Sequence, residues 1–184
     1  MHKNTADIKK YINQHFDDSY DRVRYLKDKY KGETAYILGT GPSITKIPKE
    51  DLEFLEDKLV ITMKQALSFV PDSDIHLLNF SNLSKYNYSN PNTIVTWSVW
   101  DNNQPHVIIN NFAHDIIFDT FKLHDGSPKI ENSVAFNLET DHYLDGMMDL
   151  NKTMSRPWGP GTMYEMAMPL AVYMGCTKIV TIGS

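Results

Sequence analysis

The stretch Thr34-Ala35-Tyr36-Ile37-Leu38-Gly39-Thr40-Gly41-Pro42-Ser43 constrains the fold more than any other part of the chain. A short, mostly apolar run passes directly into two glycines, a proline and a hydroxyl. Such a run reads as a buried strand leaving a sheet, and buried strands of this kind belong to parallel sheets covered on both faces. Glycine at the strand end permits positive φ and lets a ligand approach the backbone closely. A strand, a Gly-x-Gly-Pro-Ser turn and a helix in succession place backbone N–H groups beside a phosphate. The plainer reading, a strand-to-helix turn without a ligand, stays open beside it.

The rest of the chain repeats the pattern. Lys58–Met63, Ile75–Phe80, Thr93–Val99, His106–Asn110 and Lys178–Ile182 read as further strands. Pro48, followed by Lys49-Glu50-Asp51-Leu52, opens a helix with proline in its first turn and acids near its positive end. Thr162-Met163-Tyr164-Glu165 fits a capping box, and a helix runs on to about Met174 with Pro169 inside it and Gly175 as its C-cap. Residues 6–31 place Ile8, Tyr11, Ile12, His15, Phe16, Tyr20, Val23, Tyr25 and Leu26 at roughly helical spacing and end at Gly32, which predicts a helical arm packed outside the core. Residues 111–158, rich in Asn, Asp, His and Met, show no clean period and predict an irregular, lid-like insertion.

The expected fold class is therefore α/β: a Rossmann-like three-layer domain with a mainly parallel sheet. Residues 1–33 form its N-terminal arm and 34–184 the nucleotide-binding domain. The last strand enters the end of the sheet where α/β sites lie and the chain stops two residues later, which reads as a C-terminal truncation.

A length of 184 residues suits one domain, and 41% hydrophobic with 22% charged residues is an ordinary globular balance. The formal net charge of -5 argues against a general nucleic-acid binder, which needs a clustered basic surface. Arg22, Arg24, Lys27, Lys29 and Lys31 are interleaved with Asp21, Asp28 and Glu33 and read as a solvated face. The single cysteine, Cys176, excludes an internal disulfide and reads as a buried thiol. With no signal-like apolar run and no membrane-length segment, the expected location is cytoplasmic, and oligomer formation stays open.

Several common chemistries are missing. The dinucleotide fingerprint wants a third glycine where Ile44 stands, and an acid after the second strand where Met63-Lys64 stands. No Gly-Lys-Ser/Thr phosphate loop occurs, and Ile37 occupies the place of the usual methyltransferase acid. Asp72-Ser73-Asp74 precedes a strand instead of following one, so it reads as turn chemistry and not as a metal-diphosphate motif. His106, His114, His124 and His142 lack the paired spacing of zinc ligands, so neither a metal nor another cofactor is expected. Arg156 ahead of Gly159-Pro160-Gly161-Thr162 has the chemistry of a bidentate phosphate contact at a helix start, or of a loop-stabilising surface arginine.

Ile37-Leu38-Gly39-Thr40-Gly41-Pro42-Ser43 resembles the Gly-x-Gly-Pro-Ser motif of the family-42 bacterial sialyltransferases and the motility-associated-factor glycosyltransferases. The motif is also similar to that of the archaeal 6-hydroxymethylpterin diphosphokinase group. Ile61-Thr62-Met63-Lys64-Gln65 falls where the sialyltransferases have a strand ending in Asn-Gln, with Lys64 in place of the asparagine. Leu78-Asn79-Phe80-Ser81-Asn82-Leu83 is similar to their Asn-Pro-Asn-Leu segment, and Arg156 to Thr162 resembles their Arg-x-Thr-Ser-Gly turn. The resemblance covers about residues 34–83 and 151–184.

It implies a metal-independent glycosyltransferase-like protein that binds a nucleotide-activated sugar such as CMP-sialic acid, with a glycan acceptor. The implied site comprises Gly39, Thr40, Gly41, Pro42, Ser43, Lys64, Gln65, Asn79, Arg156, Gly159, Gly161 and Thr162. The family's general-base histidine lies beyond the last strand, so no catalytic residue is assigned. The alternatives are a diphosphokinase, which would need Mg²⁺ and nearby carboxylates, and a non-catalytic nucleotide-binding module.

Overall fold

A computed structural model describes residues 1–79, 90–99, 115–119, 134–137, 154–155 and 164–183. Among them, eight strands form one sheet: β1 (Thr34–Leu38), β2 (Leu59–Met63), β3 (Ile75–Asn79), β4 (Ile94–Val99), β5 (Ile116–Asp119), β6 (Val134–Asn137), β7 (Met154–Ser155) and β8 (Lys178–Ile182). The order across the sheet is β7-β6-β5-β4-β3-β2-β1-β8, and every neighbouring pair is parallel. The α/β class with a mainly parallel sheet is thus present. From β1 to β7 the chain steps steadily in one direction, then returns to lay β8 on the other side of β1.

β2 is buried along its whole length, as its unalternated Leu-Val-Ile-Thr-Met sequence requires. One face carries Ile37, Leu59, Ile61, Met63, Ile75, Leu77 and Ile94 into a core shared with three helices. These are α1 (Thr5–His15), α2 (Ser19–Leu26) and α3 (Tyr164–Tyr173). Ile8 and Ile12 of α1, with Val23 and Leu26 of α2, are core residues of that face. The arm is therefore a layer of the fold and not a cover outside it.

The opposite face buries Leu38 and Val60 under three 3-10 helices, Pro42–Lys46, Lys49–Leu55 and Lys64–Ser68. The α-helix expected to open at Pro48 is one of these. Its apolar contacts explain the geometry: Leu52 and Leu55 are buried while Phe54 stays 50% exposed. Two buried residues three apart lie on one line of a three-residue turn.

Residues 111–158 were expected to be irregular. Instead, their described parts supply β5, β6 and β7 in register with the sheet. Short apolar runs such as Ile116-Ile117-Phe118 are held by pairing to β4, which periodicity within a polar tract does not reveal. The remainder of that segment, the strand expected at His106–Asn110 and Thr162 of the capping box lie outside the described residues. At the other end of α3, Gly175 has φ +89, the left-handed C-cap expected of it. Among the described residues no helix is long and apolar enough to cross a membrane.

The N-terminal ends of the strands are closed by two buried aspartates in matching positions. Asp74, one residue before β3, donates its N–H to the Val60 carbonyl at 2.9 Å and accepts the Val60 N–H on Oδ2 at 2.7 Å. Asp115, one residue before β5, does the same to Val95, at 2.8 and 2.7 Å. Helix α1 serves both carboxylates from one face, since Thr5, Lys9 and Asn13 are four apart. Thr5 Oγ1 and the His2 N–H donate to Asp74 Oδ1 at 2.6 and 2.7 Å. Asn13 Nδ2 donates to Asp115 Oδ1 at 2.7 Å, and Lys9 Nζ lies 3.2 Å from Oδ2. Asp74 is accordingly a structural group, as its place ahead of a strand suggested.

Candidate functional site

In a parallel sheet all strands end on the same side, and ligand sites of α/β folds lie there. Three expected site segments occupy that side on consecutive strands: Gly39 to Ser43 after β1, Lys64 and Gln65 after β2, and Asn79 at the last position of β3. The glycine turn also stands where strand order reverses, between β1 and β8. Arg156, Gly159, Gly161 and Thr162 lie outside the described residues.

Helix α3 bears on the same place. The carbonyls of Tyr173, Met174 and Gly175 accept the N–H groups of Asp28, Tyr30 and Gly32, which puts the C-terminal end of α3 beside the entry to β1. Its ten residues rise by about 15 Å, close to the roughly 16 Å of a five-residue strand. The helix thus begins, at Tyr164, near the level where the strands end. Thr162 and Gly161 precede it by two and three residues in the sequence.

The geometry of the turn departs from the expectation in two respects. First, neither Gly39 nor Gly41 has positive φ; Gly41 sits at φ -63, ψ 153, a conformation open to any residue and favoured before proline. The left-handed residue is Gly183, at φ +73, which directly follows β8. Second, two of the amides expected to face a phosphate are engaged. The Gly39 N–H donates to the Ile182 carbonyl at 2.8 Å and the Gly41 N–H to the Gly183 carbonyl at 2.7 Å. These bonds extend the β1–β8 pairing into the turn and fix its position. The helix that follows is the five-residue 3-10 turn Pro42–Lys46, so it has no sizeable dipole to offer.

Gly183 is the site residue that sequence reasoning missed. A Cβ there would stand 2.9 Å from Ile44 Cβ and 3.1 Å from the Gly39 carbonyl oxygen. Gly183→Ala therefore meets both a left-handed backbone penalty of about 1–2 kcal/mol and a clash against the glycine turn. We expect the variant to be destabilised by at least that amount in urea unfolding. A variant as stable as the parent would show that the turn yields freely. The only sequence signal was a glycine two residues after Thr181, at a strand end.

Lys64 is a second left-handed residue, at φ 48, in the first position after β2. Non-glycine residues other than Asn and Asp seldom adopt this conformation. Its side chain is half-buried, whereas Thr40, Ser43 and Gln65 are exposed.

Two further groups among the described residues, Cys176 and His76, are shifted by burial. Burial, reinforced by Glu33, pushes the Cys176 thiol up to about 12, so it is not a ready nucleophile. His76 on β3 is fully buried, with Nδ1 3.0 Å from Thr62 Oγ1, and burial pushes its imidazole down to about 3. A cavity of about 540 Å³ lies at the opposite, N-terminal end of the strands, lined by Leu52, Glu53, Glu56, Phe69 and Asp72 among others. The Met1 ammonium donates to the Glu56 carbonyl within it. No residue of the glycine turn lines that cavity, and it lies away from the strand ends where α/β folds bind ligands. Among the described residues, no three His, Cys, Asp or Glu side chains group to hold a metal ion. No family model matches the chain, and no curated protein matches it.

Proposed function

We propose that this chain binds the phosphate-bearing end of a nucleotide where β1 and β8 end, as the donor site of a metal-independent glycosyltransferase-like protein. On this reading the fold is Rossmann-like, with the reversal between β1 and β8 as its topological switch point. The observation that carries the reading is that the Gly39-Thr40-Gly41-Pro42-Ser43 turn stands at that reversal. The absent side chain at Gly41 is not required by its φ and ψ, so what glycine supplies there is room. A ligand lying against the backbone uses that room. The start of α3 contributes the positive end of a ten-residue helix near the same level, and Arg156 and Thr162 are proposed to join it from the segment before. Asn79 orients the nucleoside or the sugar, and the catalytic base is unassigned.

Gly41→Ala tests this directly. Alanine adopts φ -63, ψ 153 without strain and keeps the N–H donated to Gly183, so the fold should be retained. We expect parent protein to gain thermal stability with at least one of CMP, UDP, GDP and ATP, because a ligand of the native state stabilises it. Gly41→Ala should then melt as the parent does and bind that nucleotide at least about tenfold more weakly by calorimetry. Absence of binding to all four nucleotides, or unchanged affinity in the variant, would refute the site.

A further inference from the structure

Two backbone donors of the proposed site are engaged, and a lysine follows the neighbouring strand. The Gly39 and Gly41 amides are spent on β8 carbonyls, and the turn runs into a 3-10 helix of only five residues. Lys64 follows β2, the immediate neighbour of β1, and is two residues beyond Thr62 just as Thr40 is two beyond its paired Leu38. Lysine and glycine turn thus leave adjacent strands on the same side of the sheet.

Three further facts single out this lysine. Its backbone is held left-handed at φ 48, an unfavourable conformation for a residue with a long side chain. Among the described residues the ion pairs are made by His2, Lys9, Arg24 and Lys58, and no carboxylate pairs with Lys64. The sequence about the two strand ends is also without acids: residues 34–46 contain Lys46 and no acid, and residues 59–68 contain Lys64 and no acid. A flexible ammonium with no carboxylate partner suits a compact, highly charged anion.

We propose that Lys64 makes this a diphosphate site: the ligand is a nucleoside diphosphate, free or as the leaving group of an activated donor, and not a monophosphate. The proposal rests on the nucleotide reading above and narrows its ligand class. Lys64 is the specificity-determining cation, and its left-handed backbone fixes where the ammonium stem leaves the strand. A monophosphate engages the turn alone; a second phosphate gains the ammonium, and charge-assisted bonds of this kind are stronger than neutral ones.

The test is calorimetry on the parent, Lys64→Asn, Lys64→Gly and Lys64→Arg with paired ligands: UMP and UDP, GMP and GDP, AMP and ADP, CMP and CDP, and inorganic pyrophosphate. The parent should prefer the diphosphate of its best base by about tenfold or more, and Lys64→Arg should keep a preference. Lys64→Asn and Lys64→Gly should reduce the ratio to under about threefold, with most of the loss falling on the diphosphate. Both replacements suit a left-handed backbone, so both should fold, and Lys64→Gly should melt no lower than the parent. Equal binding of mono- and diphosphates by the parent, or a preference that survives loss of the lysine, overturns the inference and leaves the nucleotide site standing. Pyrophosphate bound as tightly as any nucleotide overturns it too, by making the site one for an inorganic anion. Failure of every nucleotide, mono- and diphosphate alike, overturns both.

Discussion

Replacing Asp74 by alanine is expected to lower the unfolding free energy by about 3–5 kcal/mol, a large share of what holds a domain of this size together. The carboxylate is fully buried and receives three hydrogen bonds, from the His2 N–H, Thr5 Oγ1 and the Val60 N–H. Burial pushes its carboxyl up, and the bonds from Thr5, Val60 and His2 oppose that shift. Alanine removes the acceptor and leaves all three donors buried without it, at about 1–3 kcal/mol for each unsatisfied group, though such costs do not add fully. Thr5 also contacts the hydroxyl of buried Tyr30 at 2.8 Å, so the damage reaches the core side of the arm. Asp74→Asn keeps an acceptor oxygen and should cost roughly half as much. Urea unfolding at neutral pH measures both. A loss below about 1 kcal/mol for Asp74→Ala would mean that the arm is not held through this residue.

The two aspartates explain why the arm belongs to the fold. The chain between α1 and β5 is long, yet Thr5, Lys9 and Asn13 meet carboxylates set at the N-terminal ends of β3 and β5. Both carboxylates are in place only once distant strands have paired. Sequence periodicity could place Ile8 and Ile12 on one helix face. It could not show that the neighbouring polar stripe reaches carboxylates at the sheet, because i, i+4 spacing is the same for a wholly solvated stripe.

The strands were legible for a physical reason. β1 and β8 have the bounds the apolar runs suggested, β2 and β4 begin one residue later, and β3 agrees over Ile75–Asn79, Phe80 lying outside the described residues. Each is a mostly apolar segment bounded by turn-forming or charged residues. The 3-10 helix Lys49–Leu55 was expected as an α-helix because Leu52 and Leu55 satisfy both α-helical and three-residue spacing. At the site, the glycines were rightly placed at a strand end, but for a conformation they do not adopt. The positive φ belongs to Gly183 and Lys64, and positive φ at the second of these has no sequence signature in a lysine. That the Gly39 and Gly41 amides are engaged follows from the adjacency of β8, a long-range pairing that local sequence does not encode.

Acid should weaken the fold through His76 as pH falls below the ordinary histidine range. The ring is fully buried on β3 beside Thr62, and burial holds its folded value at about 3, against about 6.5 for an unfolded histidine. Above both values the ring is neutral in either state and contributes no pH dependence. Below about pH 6.5 the unfolded chain binds a proton that the native state refuses, so native stability falls as pH falls. Relative to the pH range where the ring is neutral in both states, the loss amounts to about 2 kcal/mol by pH 5. Asp74 acts in the other sense. Its carboxyl is raised, so the native state takes up a proton ahead of the unfolded chain, gaining relative stability as pH falls through its folded value. Asp74 therefore offsets part of the histidine loss as its own range is reached. The measurement is urea unfolding at pH 7.5, 6.5, 5.5 and 5.0 for the parent and His76→Asn, whose side-chain nitrogen can stand where Nδ1 meets Thr62. The variant's stability at pH 7.5 absorbs any packing loss, and the difference in slope isolates the histidine. Parallel slopes would mean that the buried ring is protonated in the native state, contrary to its surroundings.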